Sequence, residues 1–91
     1  MFWLYQIFCS ENVIYIGVSS NIHHRIHQHL RGRGAQATRK YKPLTYKLLA
    51  LFGTSEDAKQ AERKLVLLLK NSNKFKLVFG SGYTITTENG G

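Results

Sequence analysis

A chain of 91 residues, 43% hydrophobic and 12% aromatic, holds one modest core, has no room for a separate substrate domain, and is too apolar for a disordered basic tail. The formal net charge is +8, and no Asp or Glu occurs from Asn12 through Ser55, a stretch that carries Arg25, Arg31, Arg33, Arg39, Lys40, Lys42, Lys47 and all four histidines. Such one-signed patterning points to a polyanion, and to nucleic acid before membrane, because no long apolar segment or basic amphipathic anchor accompanies it.

Met1-Phe2-Trp3-Leu4-Tyr5 lacks a basic n-region, and its apolar run stops near Cys9, too short for a signal peptide or a membrane span. It reads as an edge or core strand. Cys9 is the only cysteine, which excludes an internal disulfide and a cysteine-based zinc site and fits an intracellular, reducing compartment. Phe2 to Cys9 and Val13 to Val18, separated by Ser10-Glu11-Asn12, predict a β-hairpin. An odd loop is expected to set Tyr5 opposite Tyr15 on one face, whereas an even loop would set Tyr5 opposite Ile16. Two facing tyrosines could also be a cross-strand pair that only stabilises the sheet.

Gly17 breaks the second run, and Ser19-Ser20-Asn21 offers capping side chains to a helix expected to bury Ile22, Ile26 and Leu30. On that helix Arg25 and His29 are four apart, one above the other and beside the buried stripe. Tyr15 at a strand end, a permissive glycine, and a cation with an imidazole on the next helix could converge on one phosphate. His23, His24 and His27 include an i, i+4 pair, but two imidazoles without a third ligand make a poor zinc site and suit surface or nucleic-acid contact better.

Arg31-Gly32-Arg33-Gly34-Ala35 and Thr38 to Pro43 read as a flexible cationic loop with an interleaved Tyr41, suited to phosphate tracking with base or sugar contact. Its nucleic-acid ligands would be Arg31, Arg33, Arg39, Lys40 and Lys42. Tyr46 to Phe52 is the third expected strand. Thr54-Ser55-Glu56-Asp57 then caps a helix from about Glu56 to Lys70, whose buried stripe is expected to be Ala58, Ala61, Leu65, Leu68 and Leu69. Glu62 interrupts this basic and apolar helix at the border of the buried face and needs a partner there; a solvated glutamate beside Lys59 is the ordinary alternative. Asn71-Ser72-Asn73 ends the helix, Lys74 to Phe79 has room for another short strand, and Tyr83 to Thr87 for a returning hairpin strand. The expected fold is α+β: a small central antiparallel three-stranded sheet flanked by helices, in the order β-β-α-β-α, with an extra C-terminal strand or hairpin as an option. The domain is expected over 1–79, with 80–91 as a C-terminal extension.

Laid out in this way, the sequence resembles the GIY-YIG nuclease superfamily, and within it the small single-domain members related to the nuclease domain of structure-specific endonucleases. Trp3-Leu4-Tyr5 stands where the family has its first Gly-Ile-Tyr, and Tyr15-Ile16-Gly17 is the second motif unchanged. Asn21 to Arg25 carries the helix arginine, with His29 following at the family spacing. Gly32-Arg33-Gly34-Ala35 with Thr38-Arg39 looks like the subfamily's loop, and Glu62 falls where these enzymes keep a metal-binding glutamate. Trp3 and Leu4 replace the glycine and isoleucine of the first motif, a change for packing because the tyrosine is the chemical member. Val18 stands where some relatives have a lysine, and a late asparagine of some relatives corresponds to Asn71 or Asn73.

The resemblance implies a divalent-metal-dependent endonuclease that hydrolyses phosphodiester bonds in DNA. Glu62 would hold Mg²⁺ or Mn²⁺, a hard cation that otherwise keeps water and phosphate oxygens. Arg25 would brace the non-bridging oxygens with its fixed fork, and Tyr5 and His29 would position water or phosphate. Tyr15 is the candidate base, although a phenol with a reference pKa of about 10 needs nearby cations to act near neutrality. Spacing alone leaves the proton acceptor open among Tyr5, Tyr15 and His29. The alternatives are a non-catalytic nucleic-acid-binding module that keeps the fold, and a basic structural protein of a nucleoprotein particle. Strong sequence specificity would need a second copy of the chain or a partner protein.

Overall fold

The hairpin forms from Phe2–Cys9 (β1) and Val13–Ser19 (β2) in the computed structural model, which describes residues 1–80. Its three-residue connection, Ser10–Asn12, is a single helical turn in which Glu11 and Asn12 adopt positive φ, a conformation asparagine tolerates well. Asn12 also ties the chain together: its Nδ2 donates to Lys74 O at 2.7 Å, and its carbonyl accepts from Lys76 N at 2.9 Å. That anchor delivers Leu77–Gly80 (β4) to the free edge of β2. On the other side, Pro43–Phe52 (β3) pairs with β1, so the sheet has four strands in the order β3-β1-β2-β4.

The expected three antiparallel strands are therefore present, and the optional C-terminal strand is added parallel to β2, which makes the sheet mixed. The returning strand expected over Tyr83 to Thr87 lies outside the described residues. β1 and β2 are central and covered on both faces, which is why Val13 to Gly17 is buried without alternation. β3 is an edge: Leu44, Tyr46, Leu48 and Leu51 remain exposed, and this accounts for its poor hydrophobic period. β3 begins at Pro43, earlier than expected, because a proline lacking a ladder donor is admissible at the first residue of an edge strand.

Helix Ile22–Leu30 (α1) and the short helix Gln36–Lys40 (α2) cover one face of the sheet, where Tyr5, Ile7, Cys9, Val13 and Tyr15 cluster with Ile22, Ile26, Ala37 and Tyr41. Helix Ser55–Ser72 (α3) covers the other, where Leu4, Ile14 and Ile16 meet Val66 and Val78. Trp3 and Leu4 do pack, one on each side. Thr54 caps α3 by accepting from Asp57 N at 3.2 Å, and Asn73 closes it in the left-handed region. No helix among the described residues is long and apolar enough to cross a membrane.

Several local expectations are corrected. The buried stripe of α1 turns one residue away from Leu30, which is 51% exposed, and takes in His29 at 0%. Asn21 occupies the N-cap without a side-chain bond; instead Ser19 Oγ accepts from Asn21 N at 3.0 Å. The segment read as a wholly flexible loop contains α2, and Tyr41, assigned to base contact, lies in the core with its ring centroid 6.3 Å from that of Phe79. On α3 the stripe runs through Ala58, Glu62 and Val66, leaving Leu68 68% exposed.

Candidate active site

The β1–β2 register places the tyrosines. Tyr5 faces Gly17 and Tyr15 faces Ile7, so the two phenols share a face but are offset diagonally, not directly opposed as the odd loop led us to expect. A three-residue loop pairs Cys9 with Val13, and that pairing sets every other partner. The offset explains Gly17: a Cβ there would overlap Tyr5 Cζ and Oη and stand 2.9 Å from Cε2, so the bare backbone lets the Tyr5 ring lie across β2.

His29 drops from α1 into the space beside both rings, its centroid 5.7 Å from Tyr5 and 4.8 Å from Tyr15, while the tyrosine rings are 6.3 Å apart. Tyr5 Oη and His29 Nε2 are 2.9 Å apart, and His29 Nδ1 lies 2.8 Å from Thr38 Oγ1. Arg25, one turn back on α1, is half-buried, and its Nη1 donates to Gln28 Oε1 at 3.1 Å. Its charge reaches both phenols: burial opposes it, but the oxygens of Tyr5 and Tyr15 outweigh that cost and hold its pKa up.

Burial, then the neighbouring Tyr15 phenol, pushes the Tyr5 hydroxyl well above the usual phenol range, with Arg25 pulling the other way. Burial and then Arg25 lower His29 to about 4, so its imidazole is neutral at physiological pH. The unfolded chain therefore binds more protons than the folded one between about pH 6.5 and 4. Stability is complete above 6.5, falls by up to about 3 kcal/mol as pH drops to 4, and then levels with respect to this group. Chemical denaturation of the wild type and of His29→Gln across that window checks the point, the variant being expected to lose most of the slope.

Glu62 is 1% exposed, which excludes the solvated surface glutamate. It projects from α3 toward the sheet face opposite the phenols, so that a Cβ on Gly80 would come within 3.0 Å of its Oε2. It also lines an open cleft of about 620 Å³ with Phe2, Val18, Ser19, Ser20, Ser55, Lys59 and Arg63. Tyr5, Tyr15, Arg25 and His29 are thus brought together on one side of β2, and Glu62 stands on the other. The Glu62 cleft takes in the end of β2 and the Ser19-Ser20 turn, which leads into α1, the helix that carries Arg25 and His29. Arg31, Arg33, Arg39, Lys40 and Lys42 are all exposed, the last three on α2 and its exit, the first two between α1 and α2.

Three groups of residues have a place in the site that the sequence did not give them. Lys59 and Arg63, one turn apart on α3, form a cationic wall of the Glu62 cleft. Gln28 steadies Arg25. Gly34 and Thr38 surround His29; both belong to the loop that resembles the subfamily's, but nothing in the sequence set them against the imidazole. Among the described residues there is no group of three or more His, Cys, Asp and Glu side chains that could hold a metal; His23 and His27 are exposed and border a groove with Tyr46 and Leu48.

The profile of the GIY-YIG catalytic domain matches residues 1–76. The chain belongs to the GIY-YIG family. It is 37% identical over 78 residues to a UPF0213 protein of Cronobacter sakazakii, covering 86% of this chain and 81% of that relative. With the UPF0213 protein YhbQ of Escherichia fergusonii it shares 32% over 81 residues, 89% and 81% of the two chains, and with a UPF0213 protein of Pediococcus pentosaceus 28% over 85 residues, 93% and 88%. No solved structure matches. Membership places this chain in a superfamily of nucleases, and a GIY-YIG nuclease domain implies a nucleic acid substrate.

Proposed function

We propose that the protein is a divalent-metal-dependent endonuclease that hydrolyses phosphodiester bonds in DNA. The observation that carries this reading is the buried Glu62 carboxylate in a cleft walled by Lys59 and Arg63. A module that only bound phosphate would lose affinity to a carboxylate in that position, whereas an enzyme that must hold a cation against phosphate requires one. A single hard carboxylate donor, with no His or Cys set beside it among the described residues, suits Mg²⁺ or Mn²⁺ better than zinc. When bound, such an ion polarises the phosphoryl oxygen and makes water a better nucleophile.

The chain's own groups divide the remaining work. Arg25 faces the non-bridging oxygens as negative charge grows. Tyr15, whose ring lies against His29 and whose phenol is within the field of Arg25, takes the proton of the attacking water, and Tyr5 and His29 hold it in place. The new bond is water oxygen to phosphorus; the bond broken is phosphorus to the leaving nucleotide oxygen, which takes a proton from solvent. Tyr15→Phe is expected to keep fold and DNA affinity and to lose about 10²- to 10⁴-fold in cleavage rate; full activity in that variant moves the proton to Tyr5 or His29. DNA affinity is expected to fall steeply with salt, and each of Arg31, Arg33, Arg39, Lys40, Lys42, Lys59 and Arg63 that contacts phosphate reduces the slope of log K against log salt by about 1 when replaced by serine. A filter-binding titration reads this, and a slope indifferent to all seven would remove both cationic surfaces from the interface. The placement of Glu62 and the phenols on opposite sides of β2 favours the second reading, a binding module without turnover.

A further inference from the structure

We infer that Thr38 is a positioning residue that fixes His29 in the tautomer with its proton on Nδ1, leaving Nε2 as the acceptor of the Tyr5 hydroxyl. The inference rests on the catalytic placement of Tyr5 and His29 proposed above, and it concerns residues on α2 to which no role has been assigned. Thr38 Oγ1 donates to Ala35 O at 3.0 Å, and because a carbonyl can only accept, the single hydroxyl hydrogen is committed there. Toward His29 Nδ1, 2.8 Å away, Oγ1 can then offer only a lone pair, so Nδ1 must carry hydrogen. A neutral imidazole has one N–H. Nε2 is therefore bare, and the contact of 2.9 Å with Tyr5 Oη is a bond donated by Tyr5.

Gly34 closes the cradle from above. A Cβ there would overlap His29 Nδ1 and lie 2.8 Å from Cε1. Gly32, not Gly34, has the positive φ in this loop, so the absence of a side chain at Gly34 serves the approach of backbone to ring. Gly34 and Thr38 together leave the ring one orientation and one tautomer, with His29, Thr38 and Ala37 all buried.

The direction of these bonds has a chemical consequence. With its hydrogen given to Nε2, Tyr5 Oη keeps only lone pairs for the side from which Arg25 and Tyr15 act on it. The opposite tautomer would present N–H to Tyr5 and reverse that bond, turning the phenol hydrogen away from the imidazole.

The test uses the full chain with ¹⁵N-labelled histidine, recording long-range ¹H–¹⁵N correlations of His29 near neutral pH without DNA or metal. The wild type is expected to show protonated Nδ1 and bare Nε2. Thr38→Val, which keeps the shape and removes the acceptor, is expected to shift His29 toward the Nε2–H form and to lower cleavage about 10- to 100-fold. Thr38→Ser is expected to restore both. If Thr38→Val does not fold, Thr38→Ala is measured in its place. An Nε2–H tautomer in wild type, an unchanged tautomer in the variants, or an inverted tautomer with unchanged turnover overturns the inference. Because the tautomer is read without substrate, it separates from the nuclease reading: the expected wild-type and variant spectra in a protein that cuts no DNA would uphold Thr38 as the group that sets His29 and reject the nuclease.

Discussion

Glu62→Ala is expected to stop turnover, by at least about a thousandfold, while DNA affinity stays at or above the wild-type level. A bound divalent ion supplies several kcal/mol of charge stabilisation, and each 1.36 kcal/mol is about tenfold in rate, so losing the one carboxylate that lines the cleft among the described residues removes about three powers of ten or more. Affinity moves the other way because a negative charge facing phosphate has been taken out. Glu62 is buried one helical turn from Val66, so the alanine also leaves a cavity in the face that α3 packs on the sheet. Glu62→Gln removes that ambiguity: it keeps the shape and loses the charge, and the same pair of effects is expected. Rate and affinity measured together decide the matter, since a variant that cuts as fast as wild type would assign any cleavage to another site.

Arg25→Ala is expected to lower turnover about 10²- to 10³-fold and, unlike Glu62→Ala, to weaken binding as well. The guanidinium meets phosphate in the ground state and more strongly as charge builds on it, so both constants report its loss. Arg25→Lys keeps a cation but not the planar fork and is expected to recover affinity better than rate. A second consequence is internal to the fold. Arg25 is one of the two causes that hold His29 down, so its removal raises the His29 pKa and narrows the acid window in which stability is lost. Equal rates in wild type and Arg25→Ala would show that the cation near the two phenols serves packing and not phosphate.

How far the sequence carried this far depends on which physical signal each residue left. The β1–β2 hairpin, the three long elements and the α3 cap were legible because β-branched runs, punctuating loops and Thr54-Ser55-Glu56-Asp57 are local signals. Tyr5 and Tyr15 were rightly given one face, since strand parity settles that, but their direct opposition failed because the pairing of Cys9 with Val13 is set by loop geometry and not by loop parity. His29 and Glu62 were both placed at the margin of a buried stripe and are both inside it. Polarity argued for the margin; what overrides it is that the facing elements supply partners, Tyr5 and Thr38 for His29 among them. α2 and the burial of Tyr41 were invisible because a five-residue helix has too few turns to show a period and forms here only by packing on the core. The division of the site across β2 could not be read at all, since it depends on α3 lying on the face opposite α1.

The central claim is tested most directly by a time course of purified wild-type protein on supercoiled plasmid and branched DNA, run in parallel with Mg²⁺, Mn²⁺ and EDTA and with binding measured on the same substrates. The account predicts nicked or resolved products with either metal, none with EDTA, and binding in all three conditions. Tight binding of these DNAs with no cleavage under either metal would contradict it and leave a nucleic-acid-binding module on a nuclease fold.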